Sequence, residues 1–173
     1  MKIFICEICG EAYLGTEAPS HCPFCGAHQN FLKLDSVASP LTSKAVELSE
    51  LSQQNLQTAL TLEKTATALY ICMAHKSDKP GVTAMYHALA KIEHEHANAM
   101  ARLLDEPKPV IDSAACADDD EANFKKTLAL EDNAVQLYQR FAKEATEREV
   151  KIFFAGLWQI EADHAALITN LLQ

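Results

Sequence analysis

The chain has 173 residues, a formal net charge of -9 and a hydrophobic content of 49%. The negative charge argues against nucleic acid or an anionic membrane surface as the main partner, because both attract Lys and Arg. No apolar run approaches the roughly 20 residues that span a bilayer, and charges and cysteines stand where a signal peptide would be apolar, so we expect a soluble, cytoplasmic protein.

Residues 1–36 are expected to form a small metal-binding domain, because four of the six cysteines lie there. Cys6-x-x-Cys9 and Cys22-x-x-Cys25 form two knuckles that can fold around one tetrahedral metal ion. Four thiolates hold either zinc or iron, and their spacing does not distinguish the two metals. A pair of disulfides is the alternative, which a reducing cytoplasm disfavours.

Residues 37–173 are expected to form an all-α domain, because they are rich in Ala, Leu, Glu and Gln at helical spacing. A linker is predicted at 35–43, in which Thr42 or Ser43 is a candidate helix N-cap. The predicted helices cover residues 43–76, 80–105, 119–145 and 147–172.

The breaks between these helices carry recognisable signals. SDKPG (77–81) groups turn residues, and Thr146 with Glu149 is a capping-box pattern at the start of the last helix. The connection at 107–119 can span about 43 Å when fully extended. It permits one long crossover as well as a simple up-and-down order.

The helical part repeats itself at an offset of 68 residues. TLEKTATALY (61–70) aligns with ALEDNAVQLY (129–138), and KIEHEHANAM (91–100) aligns with QIEADHAALI (159–168). The identities fall on the unusual residues, which a shared compositional bias would not produce. The matched pairs are Glu63 with Glu131, Tyr70 with Tyr138, Glu93 with Glu161, and His96 with His164.

The repeat predicts a buried cluster of ionisable side chains. In each half the two glutamates are equidistant from a predicted turn, near residue 78 or residue 146, and they should face each other ~22 Å from it. All lie on apolar helix faces, where an isolated charge costs several kcal/mol.

Two divalent cations would compensate this charge, because carboxylate and imidazole both suit iron or manganese. One Glu from each of two helices plus Glu-x-x-His from each of the other two is the ligand set of ferritin-like dimetal bundles. The alternative is that each Glu-x-x-His occurs by chance on an exposed face. The predicted ligands are Glu63, Glu93, His96, Glu131, Glu161 and His164.

The remaining candidates are weaker. Tyr70 and Tyr138 either donate hydrogen bonds to the ligand carboxylates or are ordinary core tyrosines. Cys72 and Cys116 are expected to be a core thiol and a loop thiol. The other histidines are expected to be surface residues or to have their hydrogen bonds satisfied; they are His21, His28, His75, His87 and His94.

The motifs together resemble a known family. CEICGEAYLGTEAPSHCPFCG (6–26) resembles the rubredoxin-like domain of rubrerythrins, and the duplicated Glu and Glu-x-x-His resembles their diiron domain. With the cysteine domain first, the chain resembles a reverse rubrerythrin: a ferritin-like four-helix bundle preceded by a small rubredoxin-like domain.

The resemblance implies a non-haem iron peroxidase. Electrons would enter at a cysteine-bound iron, pass to two iron ions at the carboxylate site and reduce hydrogen peroxide, with dioxygen as a second oxidant. Manganese or zinc could replace the two ions, and zinc could replace the cysteine-bound iron. An electron-donor reductase or a rubredoxin is the expected partner.

The chain departs from the family pattern at Ala134, where typical rubrerythrins carry a further glutamate. The remaining six ligands are equally similar to those of bacterioferritins, so an iron-oxidising or iron-handling protein is the alternative function. A third hypothesis is a binding module stapled by zinc, with structural metals in the bundle.

Distance along the first predicted helix suggests an assembly. Glu63 lies about 20 residues beyond the predicted helix start, hence ~30 Å from the linker. The distance between the cysteine site and the dimetal site of one chain is therefore expected to be too long for electron transfer. A head-to-tail homodimer or larger homo-oligomer, in which one subunit's cysteine site approaches the other's dimetal site, is predicted.

Overall fold

A computed structural model describes residues 1–43 and 45–173. The N-terminal module contains three strands, β1 Lys2–Cys6, β2 Ala12–Gly15 and β3 Leu32–Leu34. They form an antiparallel sheet in the order β2-β1-β3. Ile3 of β1 pairs with Leu14 of β2, and Phe4 pairs with Leu34 of β3. The sequence did not predict this sheet, because strands of three to five residues carry little periodic signal.

Four long helices follow and form the predicted bundle. They are α1 Glu50–Lys76, α2 Pro80–Leu103, α3 Asp120–Glu144 and α4 Arg148–Leu171. The α1–α2 and α3–α4 hairpins are the most closely packed pairs, and α1 also packs against α3. The fold prediction of a ferritin-like four-helix bundle with a small N-terminal domain is confirmed. The domain boundary between residues 36 and 37 stays a prediction.

The first helix begins later than predicted. Its N-cap is Ser49, whose side chain accepts from the backbone N–H of Ser52. The predicted start at residue 43 and the caps at Thr42 or Ser43 are wrong. The reason is tertiary: the preceding segment is held along the module, where the backbone N–H of Leu41 donates to the carbonyl of Glu7 across 2.8 Å.

The predicted capping box at the start of the last helix is also wrong. Glu147 is the N-cap of α4, and its side chain makes no cap hydrogen bond. Its carboxylate instead accepts from the Ser49 backbone N–H and the Ser52 hydroxyl, each at 2.5 Å. This contact joins the beginning of α4 to the beginning of α1.

The connection between α2 and α3 is a long crossover. Lys79 pairs with Asp120 at 3.0 Å, so α3 begins beside the α1–α2 turn, a full helix length from the end of α2. At the other end, Gln57 of α1 donates to Glu106. The crossover therefore runs along α1, and the up-and-down alternative is wrong.

A disulfide joins this crossover to α1. Cys72 is bonded to Cys116, with the two Cα atoms 6.0 Å apart, so the prediction of two free thiols is wrong. The cause is the path of the crossover, which packs Ala114 and Cys116 against an apolar cluster that includes Met73. Nothing local in the sequence indicates this contact.

The module packs against the bundle at two glycines. A Cβ atom at Gly156 of α4 would lie 2.7 Å from Ile8 Cδ1. Gly26 has φ +76°, and a Cβ atom there would lie 2.9 Å from Ile160 Cγ2. The close approach of the module and α4 thus requires residues without a side chain at these two positions. One apolar cluster consequently runs from the cysteines into the bundle.

Within the described part of the chain, none of the helices is long and apolar enough to cross a membrane.

Candidate metal centres

The six predicted ligands meet in one layer of the bundle, with one apolar cluster on each side along its length. All six are buried, and none is more than 7% exposed. We call this group the carboxylate–histidine cluster. It consists of Glu63 of α1, Glu93 and His96 of α2, Glu131 of α3, and Glu161 and His164 of α4.

The cluster divides into two overlapping ligand groups. His96 Nδ1 lies 2.9 Å from Glu93 Oε2, 3.3 Å from Glu161 Oε1 and 3.8 Å from Glu63 Oε1. His164 Nδ1 lies 3.0 Å from Glu161 Oε2 and 3.1 Å from Glu93 Oε1. Glu93 and Glu161 each direct one oxygen to each group.

Glu131 Oε2 lies 3.7 Å from His164 Nδ1 and completes the second group. The arrangement therefore provides two adjacent sites, each with its own histidine and its own terminal glutamate. Two shared carboxylates would bridge them. Residues that match in the sequence repeat occupy corresponding places in the two groups, Glu63 with Glu131 and His96 with His164.

Two oxygens test whether the cluster fits metal ions. Glu93 Oε1 and Glu161 Oε1 are buried and accept no hydrogen bond within the described part of the chain. An unsatisfied buried carboxylate oxygen is costly. Glu93 Oε1 lies 3.1 Å from His164 Nδ1, and Glu161 Oε1 lies 3.3 Å from His96 Nδ1, so each oxygen belongs to one ligand group. A cation bound in each group would compensate them, so the residues fit a pair of metal ions.

The pKa shifts of the cluster residues also indicate that the buried carboxylates favour a positive charge nearby. Burial raises the pKa of Glu131 to about 8, and the charge of Glu93 adds to the shift. Burial raises the pKa of Glu63 well above its usual range, with Glu161 adding to it. Burial lowers the pKa of His96, but the charge of Glu161 and the neighbouring carboxylates raise it further than burial lowers it. The carboxylates thus favour a positive charge at the imidazoles, carried either by a proton or by a metal ion.

Two tyrosines form hydrogen bonds between the α1–α2 hairpin and the α3–α4 hairpin. The Tyr70 hydroxyl of α1 donates to Glu131 of α3, and the Tyr138 hydroxyl of α3 donates to Glu63 of α1. Burial raises the pKa of both tyrosines well above the usual range, and the neighbouring glutamate charges raise it further. Both phenols therefore stay protonated and remain donors. The structure places them in contact with the cluster, as the first of the two interpretations expects.

A small cavity of about 20 Å³ lies beside the cluster on the α1 and α3 side. This is room for about one water-sized molecule. Ala66 and Ala134, which occupy matching positions of the repeat, form part of its wall. The other lining residues are Leu62, Glu63, Tyr70, Glu93, Leu130, Glu131, Tyr138 and Glu161.

The four cysteines form a second ligand group, which we call the cysteine cluster. All four are buried free thiols, which excludes the disulfide alternative for them. Cys6 Sγ lies 3.7 Å from Cys25 Sγ, and Cys9 Sγ lies 3.9 Å from Cys22 Sγ. Sulfur atoms about 2.3 Å from a tetrahedral ion are ~3.8 Å apart, so the cluster fits one such ion.

The two clusters are in contact through one hydrogen bond. His96 Nε2 lies 2.8 Å from the backbone carbonyl oxygen of Cys25. The expectation that transfer within one chain is too long is therefore wrong. It assumed that the linker carries the module away from the bundle, whereas Ser39 and Leu41 bind Glu7 and turn the module back over α2 and α4. The predicted homodimer itself stays a prediction.

Arg102 is a contact residue that the sequence did not reveal. Its Nη2 donates to the carbonyl oxygen of Cys9 across 2.7 Å, and it pairs with Glu95 at 2.9 Å. This contact places a cation beside the cysteine cluster. An arginine in the last turn of a helix has a sufficient local explanation, so no signal in the sequence indicates this role.

Comparisons with known proteins match both parts of the chain. A family model for the ferritin-like domain matches residues 51–173, and a model for the rubrerythrin, rubredoxin-like domain matches residues 4–32. The chain is 33% identical over 117 residues to reverse rubrerythrin-1 of Clostridium acetobutylicum. The match covers 61% of this chain and 64% of that protein, less than two thirds of its length.

Proposed function

Because this chain belongs to the rubrerythrin family, with its rubredoxin-like domain on the N-terminal side of the ferritin-like domain, we propose that it is a non-haem diiron peroxidase. The proposed reaction reduces hydrogen peroxide to two water molecules with two electrons and two protons. The proposed cofactors are two iron ions in the carboxylate–histidine cluster and one iron ion in the cysteine cluster.

The contact between His96 and Cys25 carries this proposal. The His96 Nε2–H donates to the Cys25 carbonyl oxygen, while His96 Nδ1 faces the carboxylates. The thiol of Cys25 belongs to the cysteine cluster, so two residues connect the proposed iron sites. A structural zinc at the cysteines would need no such connection.

The module, which would donate electrons, and the cavity, which would admit the oxidant, lie on different sides of the carboxylate–histidine cluster. The module contacts α2 at His96 and α4 at Gly156, whereas the cavity is bounded mainly by α1 and α3 residues. A small oxidant in the cavity would therefore meet the cluster opposite the electron-donating domain. When bound, the iron ions supply the electron-transfer chemistry that the side chains lack.

The protein residues have distinct proposed roles in this scheme. Glu93 and Glu161 would be shared by the two metal ions, and Glu63 and Glu131 would each hold one of them. Tyr70 and Tyr138 hold the terminal carboxylates in place by donating to them, and their raised pKa keeps the donated protons on the phenols. The cavity volume of about 20 Å³ limits the oxidant to a small molecule.

A single-turnover experiment tests the proposal. Iron-reconstituted protein is reduced under argon and mixed with hydrogen peroxide, and the returning red absorbance of ferric cysteine-bound iron is followed by stopped flow. Rapid return is expected in the wild type. Glu161→Ala should keep the red chromophore but lose about 100-fold in rate, since it removes a bridging carboxylate. An undiminished rate in that variant would refute the mechanism.

A second candidate function is favoured by Ala134. This alanine leaves the cluster with six ligands, and it lines the cavity instead of adding a carboxylate. The alternative is a ferroxidase of ferritin type with structural zinc at the cysteines. Steady peroxide turnover with an electron donor supports the first function. Oxidation of several ferrous ions per chain, with a colourless cysteine site, supports the second.

The external partners complete the proposal. The cysteine cluster would receive electrons from a reductase or a rubredoxin, and a head-to-tail homodimer is the proposed assembly. The contact within one chain removes the geometric need for a dimer. The cytoplasmic location stays a prediction.

A further inference from the structure

A third group of ligand-type side chains lies at the junction between the module and α4. It comprises His21 and His28 of the module and Asp163 of α4. The two histidines face each other because their backbones form an isolated antiparallel bridge on either side of the second cysteine knuckle. All three side chains reach solvent, with exposed fractions of 53%, 34% and 51%. None of them belongs to the two clusters described above.

Both imidazoles direct Nε2 at the same carboxylate oxygen. His28 Nε2 lies 2.6 Å from Asp163 Oδ2, and His21 Nε2 lies 3.5 Å from it. Ligand atoms that share one metal ion at about 2.1 Å are ~3.0–3.4 Å apart. The observed spacings bracket this range. A small adjustment of exposed side chains would bring all three atoms into one coordination sphere.

The outer partner of His21 orients the ring for such a role. His21 Nδ1 lies 3.1 Å from the Ser20 hydroxyl. A metal-binding histidine commonly donates its second ring N–H to an oxygen, which leaves the other nitrogen free as a ligand. In the tautomer that donates Nδ1–H to the Ser20 hydroxyl oxygen, the lone pair of His21 Nε2 is directed at the Asp163 carboxylate and is free to bind a cation.

We propose that His21 Nε2, His28 Nε2 and Asp163 Oδ2 bind one divalent transition-metal ion of the zinc type. Two imidazoles and one carboxylate suit Zn²⁺ and neighbouring first-row ions, whereas Mg²⁺ and Ca²⁺ prefer oxygen ligands. The exposed side of the group leaves room for water as a further ligand. The ion would cross-link the module to α4 one residue before His164. The inference is independent of the proposed peroxidase activity.

A second pair of histidines provides a matched control. His75 and His87 have ring centroids 5.8 Å apart, close to the 5.0 Å between His21 and His28. They belong to no group of three ligand-type side chains among the residues that the structure describes. His75→Gln therefore removes an exposed, paired histidine without touching the proposed site.

Zinc titration of the iron-loaded protein tests the inference. With both clusters filled, calorimetry should detect one further Zn²⁺ per chain with unchanged red absorbance. Asp163→Asn and His28→Gln should each weaken this binding at least 10-fold, and His75→Gln should leave it unchanged. X-ray absorption at the zinc edge should show nitrogen and oxygen at about 2.0–2.1 Å and no sulfur near 2.3 Å.

Three results would overturn the proposal. The first is the absence of a further equivalent of zinc. The second is wild-type affinity in both Asp163→Asn and His28→Gln. The third is a sulfur shell, because it would mean that zinc had exchanged with the cysteine-bound iron. Equal melting temperatures and equal red absorbance establish that the variants are folded, and His21→Gln serves as a replacement if either variant fails this check.

Discussion

His96 donates from Nε2 to the backbone carbonyl oxygen of Cys25 across 2.8 Å, so a single imidazole contacts both candidate metal centres. The hydrogen bond exists because the module packs closely on the α2 and α4 side of the bundle. A substitution that loosens this packing should slow electron transfer between the clusters while each cluster still binds its metal ions. The first prediction follows from that relation.

Gly156→Ala should loosen the module. The new Cβ atom would lie 2.7 Å from Ile8 Cδ1, so the module or the side chain must move. Overpacking of this kind costs about 1–3 kcal/mol. We expect a lower melting temperature and slower reoxidation of the cysteine-bound iron by peroxide, with full metal loading. Gly81→Ala is the control, because nothing lies within 4 Å of a Cβ atom there. Equal effects of the two substitutions would contradict the docking argument.

Tyr138→Phe should lower the rate of the peroxide reaction at the carboxylate–histidine cluster. It removes the donor to Glu63 and leaves a buried carboxylate oxygen without that partner, at a cost of about 1–3 kcal/mol. We expect a slower peroxide reaction with an unchanged red chromophore, measured by stopped flow.

Tyr86→Phe is the matched control for that substitution. Tyr86 is equally buried, but its hydroxyl contacts Thr127 at 3.1 Å instead of a cluster glutamate. Burial raises the pKa of Tyr86 to about 12, so it too stays protonated. If Tyr86→Phe slowed the peroxide reaction as much as Tyr138→Phe, the role assigned to the cluster tyrosines would be wrong.

Ala134→Leu should close the cavity beside the cluster. The cavity of about 20 Å³ cannot hold both a leucine side chain and an oxidant. We expect at least a 10-fold lower rate with peroxide, while direct chemical reduction of the cysteine-bound iron is unchanged. Ala129→Leu, at an exposed position of the same helix, should have no effect on the rate. A normal peroxide rate in Ala134→Leu would show that the oxidant enters elsewhere.

Glu147→Gln should change the acid stability of the fold. Partial burial raises the pKa of Glu147, but hydrogen bonds from Ser52 and Ser49 outweigh burial and lower it from 4.5 to about 2. A carboxylate with a lowered pKa stabilises the fold above pH 4.5 and loses this contribution as the pH falls towards 2. The free energy of unfolding of the wild type should therefore exceed that of the variant at pH 6.

The difference is expected to be about 1 kcal/mol at pH 6, and it should shrink towards pH 2. Urea unfolding at several pH values measures it. A difference that stays constant between pH 6 and pH 2 would mean that ionisation of Glu147 is not the cause.

The double substitution Cys72→Ala and Cys116→Ala should lower the melting temperature. The disulfide closes a loop across a sequence separation of 44 residues, and such a cross-link contributes about 2–4 kcal/mol. Under a thiol reductant, the wild type and the variant should melt at nearly the same temperature. A difference that persists under the reductant would indicate that packing of the sulfur atoms, and not the bond, stabilises the crossover.

Local patterns in the sequence were sufficient to predict much of the site. Glu93 and His96 share a helix face because they are three residues apart, and the 68-residue repeat places Glu161 and His164 identically. Turn symmetry then puts Glu63 and Glu131 at the same level. The structure brings these six side chains together, and the family comparison confirms the fold.

Only the tertiary structure decided how the separate elements meet. The hydrogen bond between His96 and Cys25, the disulfide between Cys72 and Cys116, and the group formed with Asp163 each join positions from 44 to 142 residues apart. Periodicity and residue spacing determine which side chains share one element. They carry no information about contacts such as Ile8 on Gly156, because close packing between distant segments depends on the shape of the whole folded chain.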